Sequence, residues 1–123
     1  KLADFLAPHP KVDWVEYPGL PNSSSAALAK KYLKACGGVM TFGPKGGRKA
    51  AEKLLNSLEL AALVIHVADA RTGVLHPAST THRQLSDEEQ RATGILPELI
   101  RVSVGLEHID DIIADFDQAF SKI

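Results

Sequence analysis

Residues 74–111 read VLHPASTTHRQLSDEEQRATGILPELIRVSVGLEHIDD, and this stretch decides the fold. Near its end the chain alternates. Leu99, Arg101 and Ser103 point to one side, and Ile100, Val102 and Val104 to the other, as a half-buried strand requires. A second short strand, Val74-Leu75-His76, opens the stretch and stops at Pro77. Between the two, Ser86 and Glu89 have capping-box spacing, so a helix starts near Asp87 and ends by Gly94.

Outward from this stretch the same alternation of strands and helices continues. On the C-terminal side Ile109, Ile112, Ile113, Phe116, Phe120 and Ile123 define an apolar stripe on a long helix, with Asp110 and Asp111 near its positive end. On the N-terminal side Leu63 to Val67 is an apolar run, separated from Val74 by the polar Asp69 to Gly73, which predicts two short strands with a bend. Gly46-Gly47 opens a helix with Ala50, Ala51, Leu54, Leu55 and Leu58 on one stripe, and Val39 to Phe42 is a buried strand running into Gly43-Pro44. Ser23, Ser24 and Ser25 are candidate caps for a helix whose Leu28, Tyr32 and Leu33 share a face and which Gly37-Gly38 ends. Val12 to Tyr17 predicts a further strand, closed by the turn Pro18-Gly19-Leu20-Pro21. Leu2, Phe5 and Leu6 fit a helix stopped by Pro8 and Pro10. The expected fold is α/β or α+β: one sheet of four to five short strands with helices on one face.

At 123 residues, with 45% hydrophobic and 24% charged positions, the expectation is a single domain spanning 1–123. Residues 1–53 hold nine Lys/Arg against four Asp/Glu, and residues 54–123 five against eleven. The lysines are scattered over helical segments rather than set among aromatics on one dense face, which argues against a nucleic-acid binder. The single cysteine, Cys36, excludes an internal disulfide and suits a reducing compartment, so a cytoplasmic location is expected. No apolar run approaches the roughly 20 residues that span a bilayer. The opening KLADFL has no initiator Met and reads like the tail of a helix already under way, as in a fragment of a longer chain.

Among chemical constellations, His66, His76 and His82 with Ser79, Thr80, Thr81 and Asp69 suggest a hydrolytic triad only loosely. The serine lacks the glycine-flanked turn that presents a nucleophile, so a turn whose hydroxyls satisfy backbone groups is the better reading. No helical His-x-x-x-His spacing supports a metal site. Gly43-Pro44-Lys45-Gly46-Gly47-Arg48 lacks a phosphate-loop frame and reads as a tight strand-to-helix turn. Glu107, Asp110, Asp111, Asp115 and Asp117 are expected on the solvated face of the last helix. For Arg101 the pattern leaves two readings open. One is a guanidinium that snorkels from the sheet or pairs with a carboxylate; the other is bidentate capture of a substrate carboxylate.

HPASTTHRQLSDEE (76–89) followed by GILPELIRVSVGLEHIDDIIADFDQAF (94–120) closely resembles the C-terminal segment of the Cys/Met-metabolism family of pyridoxal-phosphate enzymes. WVEYPGLP, LAKKYL and TFGPKGGRKAAEKLLNSL match the same family in the same order. The nearest match is to its O-acetylhomoserine sulfhydrylase members. Cystathionine γ-synthase, O-succinylhomoserine sulfhydrylase and methionine γ-lyase share much of these motifs. The resemblance implies the small C-terminal domain of a fold-type-I enzyme of amino-acid biosynthesis, with a mostly antiparallel sheet. It further implies pyridoxal 5'-phosphate as cofactor, an amino-acid substrate, a large N-terminal domain as partner and a homotetrameric parent.

By the same resemblance Arg101 matches the arginine that grips the substrate α-carboxylate. Thr72 falls where the family usually has a serine in a D-A-x-S-L context, whose main chain helps hold that carboxylate. The sequence departs from the pattern at Gly73, where an apolar residue is usual, and at Val64-Ile65-His66-Val67-Ala68, where the family tends to read L-A-N-V-G. The lysine that binds the cofactor, from an S-x-T-K-like context, has no counterpart here. The chain by itself is therefore expected to be inactive and to supply one half of a substrate clamp. The reading of another class is a non-catalytic carboxylate-binding or regulatory domain.

Overall fold

The computed structural model describes residues 1–123. The alternating run around Arg101 forms β5 (Ile100–Ser103), the middle strand of a five-stranded sheet. The others are β1 (Val12–Glu16), β2 (Val39–Pro44), β3 (Ala62–Leu63) and β4 (Gly73–Leu75), ordered β1-β2-β5-β4-β3. All pairings are antiparallel except β3 with β4. Register places Thr41 and Leu75 on either side of Arg101, and Met40 and Val74 on either side of Val102.

Five helices accompany the strands: α1 (Leu2–Leu6), α2 (Ala26–Tyr32), α3 (Gly47–Leu55), α4 (Asp87–Ala92) and α5 (Ile109–Ser121). Met40, Phe42, Val74, Ile100 and Val102 line the sheet face that α1, α3 and α5 cover through Leu6, Leu54, Ile112, Phe116 and Phe120. Phe42 meets Phe116 and Phe120 with ring centroids 6.1 and 6.2 Å apart. Because Ile100 and Val102 enter this core, strand alternation turns Arg101 and Ser103 to the opposite face. The expected mostly antiparallel sheet with helices on one face is thus the observed one. No helix is long and apolar enough to cross a membrane.

Three expectations need correction. The Leu63 to Val67 strand shrinks to Ala62–Leu63, because pairing with β4 ends at the Val64 N–H (3.1 Å to the Val74 carbonyl) and Ala68 then bends the chain with φ +58°. The second helix ends at Tyr32, well before Gly37, with Leu33 already extended. Its apolar face has nothing to pack on: Leu28 and Tyr32 are 60% and 69% exposed. Packing, more than propensity, sets helix length, so the helix stays short. The third correction concerns the acidic stretch. Asp115 is buried in the stripe of α5, where its carboxylate accepts the N–H groups of Glu59, Leu60 and Ala61 at 2.8–3.0 Å. Glu107 is likewise engaged inside the chain, as described below.

The expected turns are in place. Gly46 and Gly47, with φ +103° and +67°, make the left-handed turn from β2 into α3. Ser86 and Glu89 form the full capping box of α4. Arg48 of α3 reaches Asp87 of α4 at 2.6 Å and so ties the two helix starts together.

Candidate carboxylate-binding site

On the sheet face away from the core helices, Arg101 projects from the centre of β5 toward an irregular loop, residues 64–72. Its Nη2 donates to the carbonyl oxygens of Ile65 (2.8 Å) and His66 (3.3 Å). Its Nε is shut off from solvent and has no partner. The side chain pairs with no carboxylate inside the chain, which removes the ion-paired reading and leaves the guanidinium held at the edge of the face by two loop carbonyls. A buried N–H left without an acceptor is costly, and the planar fork of a guanidinium is matched by a carboxylate. The half-buried Arg101 is therefore a cation held by two loop carbonyls, and its Nη1 has no partner inside the chain.

Along the same face Trp14 lies across Gly43, where a Cβ would collide with the indole and with Glu98. Trp14 Nε1 donates to Glu98 Oε1 at 3.2 Å. Sequence reading places Trp14 in a strand but misses this contact, because a bulge between Val12 and Trp14 changes which way the indole points.

The loop facing Arg101 is held by β5 and the turn after it. Ser103 Oγ accepts the N–H of Ala68 at 3.0 Å, and the Leu106 N–H bonds the Ala70 carbonyl at 2.8 Å. Thr72 is fully buried. Its N–H and Oγ1 donate to the two oxygens of Glu107 at 2.7 and 2.8 Å, its Oγ1 accepts from Gly105 N–H, and its carbonyl accepts from Ala62 N–H. Every polar group of Thr72 is thus committed inside the chain. It stands behind the Arg101 loop, and its main chain offers no free donor to a substrate. Burial pushes the Glu107 carboxyl up, but the Thr72 amide and hydroxyl, its own N–H and the Arg71 charge outweigh this and hold it below the ordinary value.

The hydroxyl and histidine turn looks inward. His76 is buried with Nε2 2.7 Å from the Pro97 carbonyl and Nδ1 2.7 Å from Ser79 Oγ. A carbonyl only accepts, so Nε2 carries the proton and Ser79 donates to Nδ1. Ser79 is spent on shaping the turn, as is Thr80, whose hydroxyl bonds the His76 carbonyl. Sequence reasoning missed Gln90, whose Nε2 donates to the carbonyls of Ala78, His82 and Leu85 and gathers the turn onto α4. Its only sequence signal is a polar residue inside a short, capped helix.

Pyridoxal phosphate attached to a lysine finds no such lysine near Arg101. None of the five strands carries one, and residues 54–121 contain none at all.

The family model for Cys/Met metabolism PLP-dependent enzymes matches residues 1–121. A homocysteine synthase of Schizosaccharomyces pombe is 57% identical over 119 residues, which are 96% of this chain and 28% of that protein. An L-methionine gamma-lyase of Fusobacterium nucleatum subsp. polymorphum is 45% identical over 123 residues, or 100% of this chain and 31% of that protein. A crystal structure of an O-acetylhomoserine (thiol)-lyase from Campylobacter jejuni, with N'-pyridoxyl-lysine-5'-monophosphate, superposes with a TM-score of 0.90 at 38% identity. That match covers 98% of this chain and 29% of the other. The chain thus spans less than a third of the length of these relatives. With family model, sequence identity and fold in agreement over nearly its whole length, the chain belongs to the Cys/Met metabolism family of PLP-dependent enzymes.

Proposed function

We propose that this chain is the C-terminal, substrate-clamping domain of a cytoplasmic O-acetylhomoserine sulfhydrylase, a parent enzyme that replaces acetate by sulfide to give homocysteine. The observation that carries the proposal is Arg101: a guanidinium on the central strand, held through Nη2 by two loop carbonyls, with Nη1 unpaired and no internal carboxylate. The 57% identity to a homocysteine synthase supports the replacement reaction.

In this reading Arg101 binds the α-carboxylate of the amino acid and the loop carbonyls of Ile65 and His66 set the plane of its fork. Holding the substrate in one orientation before any bond changes can supply several kcal/mol of the rate enhancement. Pyridoxal phosphate, bound by the larger remainder of the parent, supplies the electron sink. The 123-residue chain alone has neither cofactor nor activity in this proposal.

The test uses the full-length parent with O-acetylhomoserine. Homocysteine formed from sulfide supports the reading, whereas cystathionine from cysteine, or ketobutyrate from methionine as the main activity, replaces it with another family reaction. Arg101→Ala is expected to raise KM for the amino acid at least about tenfold while cofactor absorbance is kept. Equal loss of both would make Arg101 structural. A band that persists in the isolated chain after pyridoxal phosphate and borohydride would contradict the assignment of the cofactor to the remainder.

A further inference from the structure

We infer that Glu107 is a positioning residue for substrate binding: it locks the loop whose carbonyls aim Arg101. This inference rests on the proposed carboxylate role of Arg101 and adds a residue to that site. Arg101 is oriented only by the carbonyls of Ile65 and His66, and these belong to a segment without regular structure of its own. Such a segment holds a guanidinium still only if it is held itself. Four residues of β5 or the turn that follows it do this. Ser103 Oγ accepts the Ala68 N–H, the Leu106 N–H donates to the Ala70 carbonyl, the Gly105 N–H donates to Thr72 Oγ1, and Glu107 accepts both the N–H and the hydroxyl of Thr72.

Glu107 makes the strongest of these tethers, because two short bonds converge on one ionised carboxylate. Its chemistry is not interchangeable. Thr72 Oγ1 already accepts the Gly105 N–H, so its own proton must go to an acceptor, and the second carboxylate oxygen is that acceptor. A glutamine in the same place presents one oxygen and one NH2. With its oxygen on the Thr72 N–H, its NH2 can donate only to the second lone pair of Oγ1, and the hydroxyl proton is left without the acceptor that the carboxylate supplied. The charge-assisted hydroxyl bond is lost without any loss of volume. Ala68, held at φ +58° between Thr72 and Arg101, is where the released loop relaxes, since a non-glycine residue stays in this conformation only under constraint.

The experiment compares full-length wild type, Glu107→Gln and Arg101→Ala. The readouts are KM and kcat for the acyl-homoserine at saturating sulfide, the cofactor absorbance, the Tm, and the dissociation constant of the unreactive amino acid norleucine. For Glu107→Gln the expected result is a rise in KM and in the norleucine constant of about fivefold to tenfold, with kcat within about twofold and cofactor absorbance unchanged. A lower Tm with KM and norleucine binding unmoved overturns the inference, since that is a structural role only. If Arg101→Ala also leaves KM unmoved, the carboxylate reading itself has failed; if Arg101→Ala raises KM and Glu107→Gln does not, only the present inference has. Should Glu107→Gln not yield folded holoenzyme, Thr72→Val deletes the hydroxyl side of the same pair and is judged by the same numbers.

Discussion

At the scale of single residues, carboxylates decide more than their sequence positions suggest. Asp115 sits in the apolar stripe of α5 and accepts three consecutive backbone N–H groups of the turn that links α3 to β3. Asp115→Ala would leave these three donors unpaired, the buried Ala61 N–H among them, at an expected cost of about 3 kcal/mol, measured by urea unfolding. Glu107 makes stability depend on pH in a defined direction. Its carboxyl lies below the ordinary 4.5 in the folded chain, so its contribution is present above that value and is lost as pH falls through the lowered one. Unfolding curves of wild type and Glu107→Gln should therefore differ at neutral pH and converge in acid. Divergence that persists at low pH would mean that the ionised carboxylate is not the stabilising species.

At the scale of elements, each helix shows how much of its form is local. The box of Ser86 and Glu89 in α4 is complete within four residues, and it lowers the Glu89 carboxyl through bonds from the Ser86 backbone and hydroxyl. Ser86→Ala is expected to lower stability by about 1 kcal/mol, read from thermal melts, and to loosen the loop that Gln90 gathers. By contrast α2 has three apolar residues at helical spacing and still stops at Tyr32, since nothing in the chain covers them. In β3 too, composition overstates the element: residues 63–67 have strand composition, yet pairing with β4 ends at the Val64 N–H, before Ala68 turns the backbone.

At the scale of the molecule, several large apolar side chains lie outside the core and share one edge of the sheet. Leu63, Ile65 and Val67 recur at every second position of the edge segment and are 55%, 63% and 51% exposed. An unpaired apolar edge invites association. The isolated chain is expected to self-associate in sedimentation experiments, and Leu63→Lys with Ile65→Lys should shift it toward monomer. Unchanged sedimentation would place the sticky surface elsewhere, with Leu28, Tyr32 and Leu33 as the next candidates.

What the sequence by itself determined follows from short-range physics. Alternation from Leu99 to Val104, the capping box, the glycine turn before α3 and the stripe of α5 each depend on neighbours within a few positions, and they suffice for the elements, the fold class and the outward direction of Arg101. Tertiary structure alone decided which partners fill those directions. Thr72 and Glu107 are 35 residues apart, and Glu59 and Asp115 are 56. A carboxylate in a helical sequence looks solvated until the fold brings unpaired backbone donors to it. The loop carbonyls that orient Arg101 are likewise 36 and 35 residues away, and no local pattern records such a meeting, because it forms only when β3, β4 and β5 close into one sheet.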